Sequence, residues 1–207
     1  MTGSPWGAVP PDGALTAAGD AARLGAYCWI EQQLFAVVGG WIPEVPEPDV
    51  KVALAAQADH AGWRAQRWFE LLPTAPPGPD ALVVAPAGLA GLPAEVASVT
   101  SGPDRTLEKL AVVHRALLPR LASALDAHRS WASEVSGPAV VRALEIAALD
   151  VARDWVAGER LLETLVSGPA DLEACQTAQV AVEAAVTAAG GLVGAQSAGR
   201  RPLGGGA

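Results

Sequence analysis

The sequence predicts an all-α fold in which two antiparallel helical hairpins are joined by one long crossover and closed by a fifth, C-terminal helix. Three observations lead there. Apolar residues recur at three- and four-residue steps along five stretches, the spacing that gathers them on one helix face. Clusters of Pro and Gly punctuate those stretches. β-Branched residues and strict alternation never coincide over a useful length, so strand signals are nearly absent.

The elements follow in order. Residues 1–13, with Pro5, Pro10 and Pro11, read as a flexible lead, residues 14–190 as one helical domain, and residues 191–207 as a flexible Gly-rich tail. A first helix over 14–38 ends at Gly39-Gly40, and GGWIPEVPEP forms a tight connection. The second helix starts at Asp49, a residue type suited to an N-cap, and stops after Leu72 at Pro73. Residues 73–103 are rich in proline and show no sustained periodicity. Asp104 caps a third helix over 105–133, which Pro119 should kink. SerGlyPro at 136–138 opens a fourth helix over 138–166, and a second SerGlyPro at 167–169 opens a fifth that ends at Gly190-Gly191.

Connection lengths constrain the topology. The short links inside the first and second helix pairs make each pair antiparallel. The connector 73–103 is long enough, at roughly 3 Å per extended residue, to run the length of a helix of about 36 Å. A crossover gives such a long segment its reason.

Composition bounds the function. The chain has 207 residues, 51% hydrophobic and 17% charged, so it can bury a core and is not a disordered chain. A net charge of -8 argues against a nucleic-acid surface, which runs on clustered Lys and Arg. Two cysteines build neither a disulfide framework nor a four-thiolate zinc site. Neither a secretory signal nor an apolar run of about 20 residues is legible, so the expectation is a cytoplasmic protein with no membrane contact.

A few polar residues interrupt the apolar stripes. On the first helix the stripe is Leu24, Tyr27, Glu31, Leu34 and Val38. An unpaired carboxylate there is too costly, so Glu31 should bind a metal, pair with a cation or His, or sit protonated against a polar partner. The second helix carries Val50, Leu54, Gln57, Ala61, Arg64 and Trp68, with His60 and Trp63 beside them. Gln57 and His60 stand at i, i+3, so both can aim at one point. On the third helix, His114 sits within Leu107, Leu110, Leu117, Leu121 and Leu125, and His128 lies near its end. The fourth stripe reads Val141, Leu144, Ala148, Val151, Trp155, Glu159 and Leu162, with Glu145 at its border and Asp150 and Arg153 as a solvated pair. If Glu31, His60 and His114 converge, they make two imidazoles and a carboxylate, a set known from non-haem iron oxygenases. The alternative is a structural hydrogen-bonded cluster. The fifth helix, with Leu172, Cys175, Gln179, Val182 and Val186, reads as a packing helix, a lid or a self-association face. Cys28 and Cys175 read as small core residues. Trp29, Trp63, Trp68 and Trp155 read as core fillers, and an exposed Trp41 or Trp6 would mark a docking surface.

On Glu31, the Gln57/His60 pair and the helix connectivity, residues 17–166 resemble the ferritin-like superfamily, and YCWIEQQLFAVVGGW and QADHAGWRAQRWFELLP are also similar to a group of actinobacterial proteins. The resemblance implies a four-helix bundle with a Glu on the first helix, Glu-x-x-His on the second, a Glu on the third and Glu-x-x-His on the fourth. By position, Glu31 and His60 match, Gln57 replaces a Glu, Glu108 or His114 stands on the third helix, and Glu145, Asp150 or Glu159 on the fourth. The set is degenerate: the fourth helix has no His. The expectation is therefore a ferritin-like protein with an incomplete metal site (candidates Glu31, Gln57, His60, His114, Glu145 and Glu159). It would act on a protein partner, a second copy of itself or a small-molecule ligand. The rival is an iron or manganese oxidoreductase using the same Glu/His cluster.

Overall fold

The computed structural model describes residues 17–132 and 137–193. The expected lead 1–13, Trp6 and nearly all of the tail lie outside these residues. The helices are α1 (Ala17–Trp41), α2 (Pro48–Glu70), α3 (Leu92–Thr100), α4 (Thr106–Ala111), α5 (Leu118–Trp131), α6 (Pro138–Leu165) and α7 (Pro169–Ala188). A π-helical turn, Val112–Leu117, joins α4 to α5, so the three pieces form one rod. No strand occurs among the described residues.

Each boundary has a local cause. Pro occupies the first turn of α2, α3, α5, α6 and α7, where its missing N–H is no loss. The expected end of the first helix at Gly39-Gly40 is corrected: α1 continues to Trp41, whose side chain is buried. Two helical glycines cost about 1 kcal/mol each, and sealing the indole against the core offsets that. The connector 73–103 is not without periodic structure, since Leu92–Thr100 coils into α3 and buries Leu92, Val96 and Thr100. At Pro119 the rod is not interrupted. The π turn just before it spaces the carbonyls that the proline ring leaves without a donor, and α5 restarts with Pro119 in its first turn.

Specific contacts fix the directions. Asp20 near the start of α1 meets His128 near the end of α5 (2.6 Å), and the Tyr27 hydroxyl donates to the Ala124 carbonyl (2.9 Å). At the opposite end, the α1–α2 loop bonds α4 through Lys109 to Glu44 (2.8 Å) and Thr106 to Glu47 (2.9 Å). The rod therefore runs antiparallel to α1 and parallel to α2. A parallel neighbour requires a connection that travels the length of the bundle, and residues 71–105 supply it. This strap crosses α1 so closely at Gly25 that a Cβ there would overlap the Leu82 carbonyl. α6 runs antiparallel to the rod, with Arg115 against Glu159, and α7 packs along α3, α4 and the π turn.

The core largely obeys the stripes. Leu24, Tyr27, Leu34 and Val38, then Val50, Leu54, Ala61 and Trp68, then Leu110, Leu117, Leu121 and Leu125 are all buried. α7 packs through Cys175, Ala178, Val182 and Val186, while Leu172 is exposed. Of the expected filler tryptophans, Trp68 is in the core, whereas Trp63 and Trp155 are exposed; Trp41 is buried and offers no docking surface. On α6 the buried row is Val140, Leu144, Ala147, Val151, Gly158 and Leu162, one residue out of phase with much of the expected stripe.

Candidate functional site

Glu31 sits at mid-length on α1 with no solvent exposure, and the stripe that buries it also brings Arg64 of α2 opposite. Arg64 is itself 1% exposed. Its Nε–H donates to Glu31 Oε1 at 2.7 Å and its Nη2–H to Oε2 at 3.1 Å, a bidentate pair. Its Nη1–H donates to Asp154 Oδ2 of α6 at 3.1 Å. The second oxygen of Asp154 lies 2.8 Å from Nδ1 of His60, whose ring reaches the surface. One guanidinium thus links three helices, and the chain Glu31–Arg64–Asp154–His60 leads from the core to solvent.

The electrostatics of this chain follow from burial. Burial pushes the Glu31 carboxyl above its ordinary value, against the opposing pull of Arg64. Burial also works against the Arg64 charge, but Glu31 and Asp154 outweigh it and raise Arg64 above its usual range. The guanidinium stays protonated. Of the outcomes open to Glu31 from its sequence position, pairing with a cation is the one realised.

His114 falls in the π turn, buried and apart from the chain just described. Its Nδ1 lies 2.9 Å from the Leu110 carbonyl, which makes Nδ1 the protonated nitrogen. Burial lowers its pKa below 6.5, more than the Leu110 bond and the Glu159 and Asp154 charges raise it, so the ring is neutral. Gln57 is buried, and its side-chain nitrogen has no partner among the described residues. Glu145 is exposed and faces Arg142 at 3.6 Å. Glu159 is half-buried in a bidentate pair with Arg115 at 2.8 and 3.1 Å. Glu108 pairs with Arg105 at 2.8 Å.

These placements bear on the metal reading. Both oxygens of Glu31 are engaged by Arg64, and His60 and His114 point to different partners. Among the described residues no three His, Cys, Asp or Glu side chains group in a way that could hold a metal ion. The residues present do not fit the di-metal carboxylate pattern. Asp154 was missed by the sequence reading, and Arg64 was placed on the buried stripe without a role. The signal was available: Val140, Leu144, Ala147, Val151, Asp154, Gly158 and Leu162 form an unbroken series of three- and four-residue steps.

Beside the chain, α2 and α6 diverge into a groove of about 410 Å3. Its apolar lining comes from Trp68, Leu71, Ala143, Ile146 and Ala147, and Trp63 stands at it partly exposed. Its charged lining is Arg64, Arg67, Arg142 and Glu70. Trp68 is 1% exposed, and its indole N–H has no partner among the described residues.

No protein-family model matches the chain, and no curated protein or solved structure is similar to it at a significant level. No helix among the described residues is long and apolar enough to cross a membrane.

Proposed function

We propose that the chain is a ferritin-like helical bundle in which Arg64 takes the place of a metal, and that it works by binding a small ligand or partner rather than by metal chemistry. The observation that carries this reading is the bidentate Arg64–Glu31 pair at 2.7 and 3.1 Å, completed by Asp154. In di-metal carboxylate bundles, inward carboxylates share divalent cations. Here a guanidinium, which cannot act as a ligand, supplies the balancing positive charge. Gln57 and His60 keep the i, i+3 spacing of Glu-x-x-His with an amide in the first place. The parallel arrangement of α2 and the rod, linked by a strap along the bundle, supports the same family reading. An oxygenase needs open coordination positions, and Glu31 would first have to release Arg64.

Elemental analysis of protein purified without chelators tests this. The expected content is below about 0.1 iron or manganese per chain, with no rise in thermal midpoint on adding Fe(II) or Mn(II), since a ligand of the native state would raise it. Iron or manganese near one per chain, lost in His60→Ala, would overturn the reading.

A further inference from the structure

We infer that the groove between α2 and α6 binds a small hydrophobic carboxylate, held by the Trp68 indole N–H and the Arg142 guanidinium with its apolar body against Ala143, Ile146 and Ala147. This deepens the ligand-binding reading above and rests on it. Three features of the groove combine.

Its size is the first. A volume of about 410 Å3 lies in the range of small-molecule sites and is bounded by two rigid helices. The second is charge. In a protein of net charge -8, this groove is lined by three guanidiniums and one carboxylate. Arg67 is held by Glu70 at 2.6 Å and lies over the Trp63 ring at 5.8 Å. Arg64 gives three of its five N–H donors to Glu31 and Asp154. Arg142 is the least committed: it is 72% exposed and only 3.6 Å from an exposed Glu145, a pair of the kind that contributes little. It can turn to a ligand at small cost.

The third feature is the indole. A buried donor without an acceptor is costly, and native structures rarely leave one so. Trp68 lines the groove and its N–H is unpartnered among the described residues. An acceptor brought by a ligand would satisfy it. A carboxylate is the group that accepts from both an indole N–H and a guanidinium, and the apolar lining asks for a hydrophobic body behind it.

The test uses the full-length 15N-labelled chain titrated with 2-naphthoate, decanoate and 2-naphthylmethylamine. The indole cross-peak of Trp68, identified by its loss in Trp68→Phe, is followed. At least one carboxylate should move that peak saturably, with a Kd of about 10–1000 µM, and the amine should not. The tighter of the two carboxylates distinguishes a planar aromatic acid from an alkyl-chain acid. Arg142→Gln, at an exposed position that leaves the fold intact, should weaken binding by about fivefold or more. Ala143→Leu, which narrows the groove, should weaken it as well. If neither carboxylate moves the peak, if the amine binds equally well, or if Arg142→Gln binds like the parent, the inference is wrong. Failure here in a metal-free protein removes only the carboxylate assignment, whereas stoichiometric metal removes the reading it rests on.

Discussion

The His114 ring lies against the backbone of Gly158, so closely that a Cβ at position 158 would overlap the imidazole. The opposite side of the ring is fixed by the bond from Nδ1 to the Leu110 carbonyl. The π turn and α6 are therefore fitted to each other at a point where one helix offers a full side chain and the other offers none.

Gly158→Ala should destabilise the fold by about 1–3 kcal/mol, although alanine favours a helix, because overlap in a packed interior outweighs propensity. In a His114→Ala background the same change should cost much less, because the overlap is with the ring. Urea denaturation of the four proteins measures that coupling.

His114 also predicts a pH dependence. Its folded pKa is lowered from 6.5 by burial, so below that value the unfolded chain takes up a proton that the folded chain refuses. The stability it contributes is complete above pH 6.5 and is lost as pH falls towards the folded value. The slope is at most about 1.4 kcal/mol per pH unit. Comparing denaturation at about pH 7.5 and 5, His114→Gln should lose up to roughly 2 kcal/mol less than the parent. An identical loss in both proteins would contradict the assignment.

Arg64→Met should cost about 3–5 kcal/mol, because it leaves Glu31 buried with no counter-charge. Arg64→Lys keeps the charge but not the fork, and should fall between. Glu31→Leu combined with Arg64→Met should recover much of the loss, since apolar replacement of a buried pair is often near neutral. Thermal melts of the three variants check the order.

The strap supplies a fourth test. Gly25→Ala sets a methyl against the Leu82 carbonyl and should lower the thermal midpoint by several degrees, about what 1–2 kcal/mol produces. Gly40→Ala, in the same helix with open space around it, should instead stabilise by about 0.4–1 kcal/mol.

How far the sequence carries can be judged from α1 and α6. On α1 one run of apolar steps fixed the buried face, and the anomaly at Glu31 pointed correctly to a buried charge that needs a partner. On α6 the large side chain of Trp155 drew the stripe onto the wrong phase. The true row passes through Asp154 and Gly158, a charged residue and a residue with no side chain, and neither registers as apolar. Their burial depends on what faces them: Arg64 for the carboxylate and His114 for the glycine. Such complementarity belongs to pairs of helices, so no single helical period reveals it. The groove was illegible for the same reason, being a divergence between two elements. Helix α3 escaped because nine residues bounded by prolines and glycines are too short to establish a period.

The π turn has one more consequence. Because it sits between Ala111 and Leu118, it sets the angular phase of α5 relative to α4. Deleting one residue there would let the rod rewind as an ordinary helix, rotating everything downstream by about 100°. Leu121, Leu125 and His128 would swing away from Tyr27 and Asp20 together, so this single loop of backbone keeps the two halves of the longest rod in step.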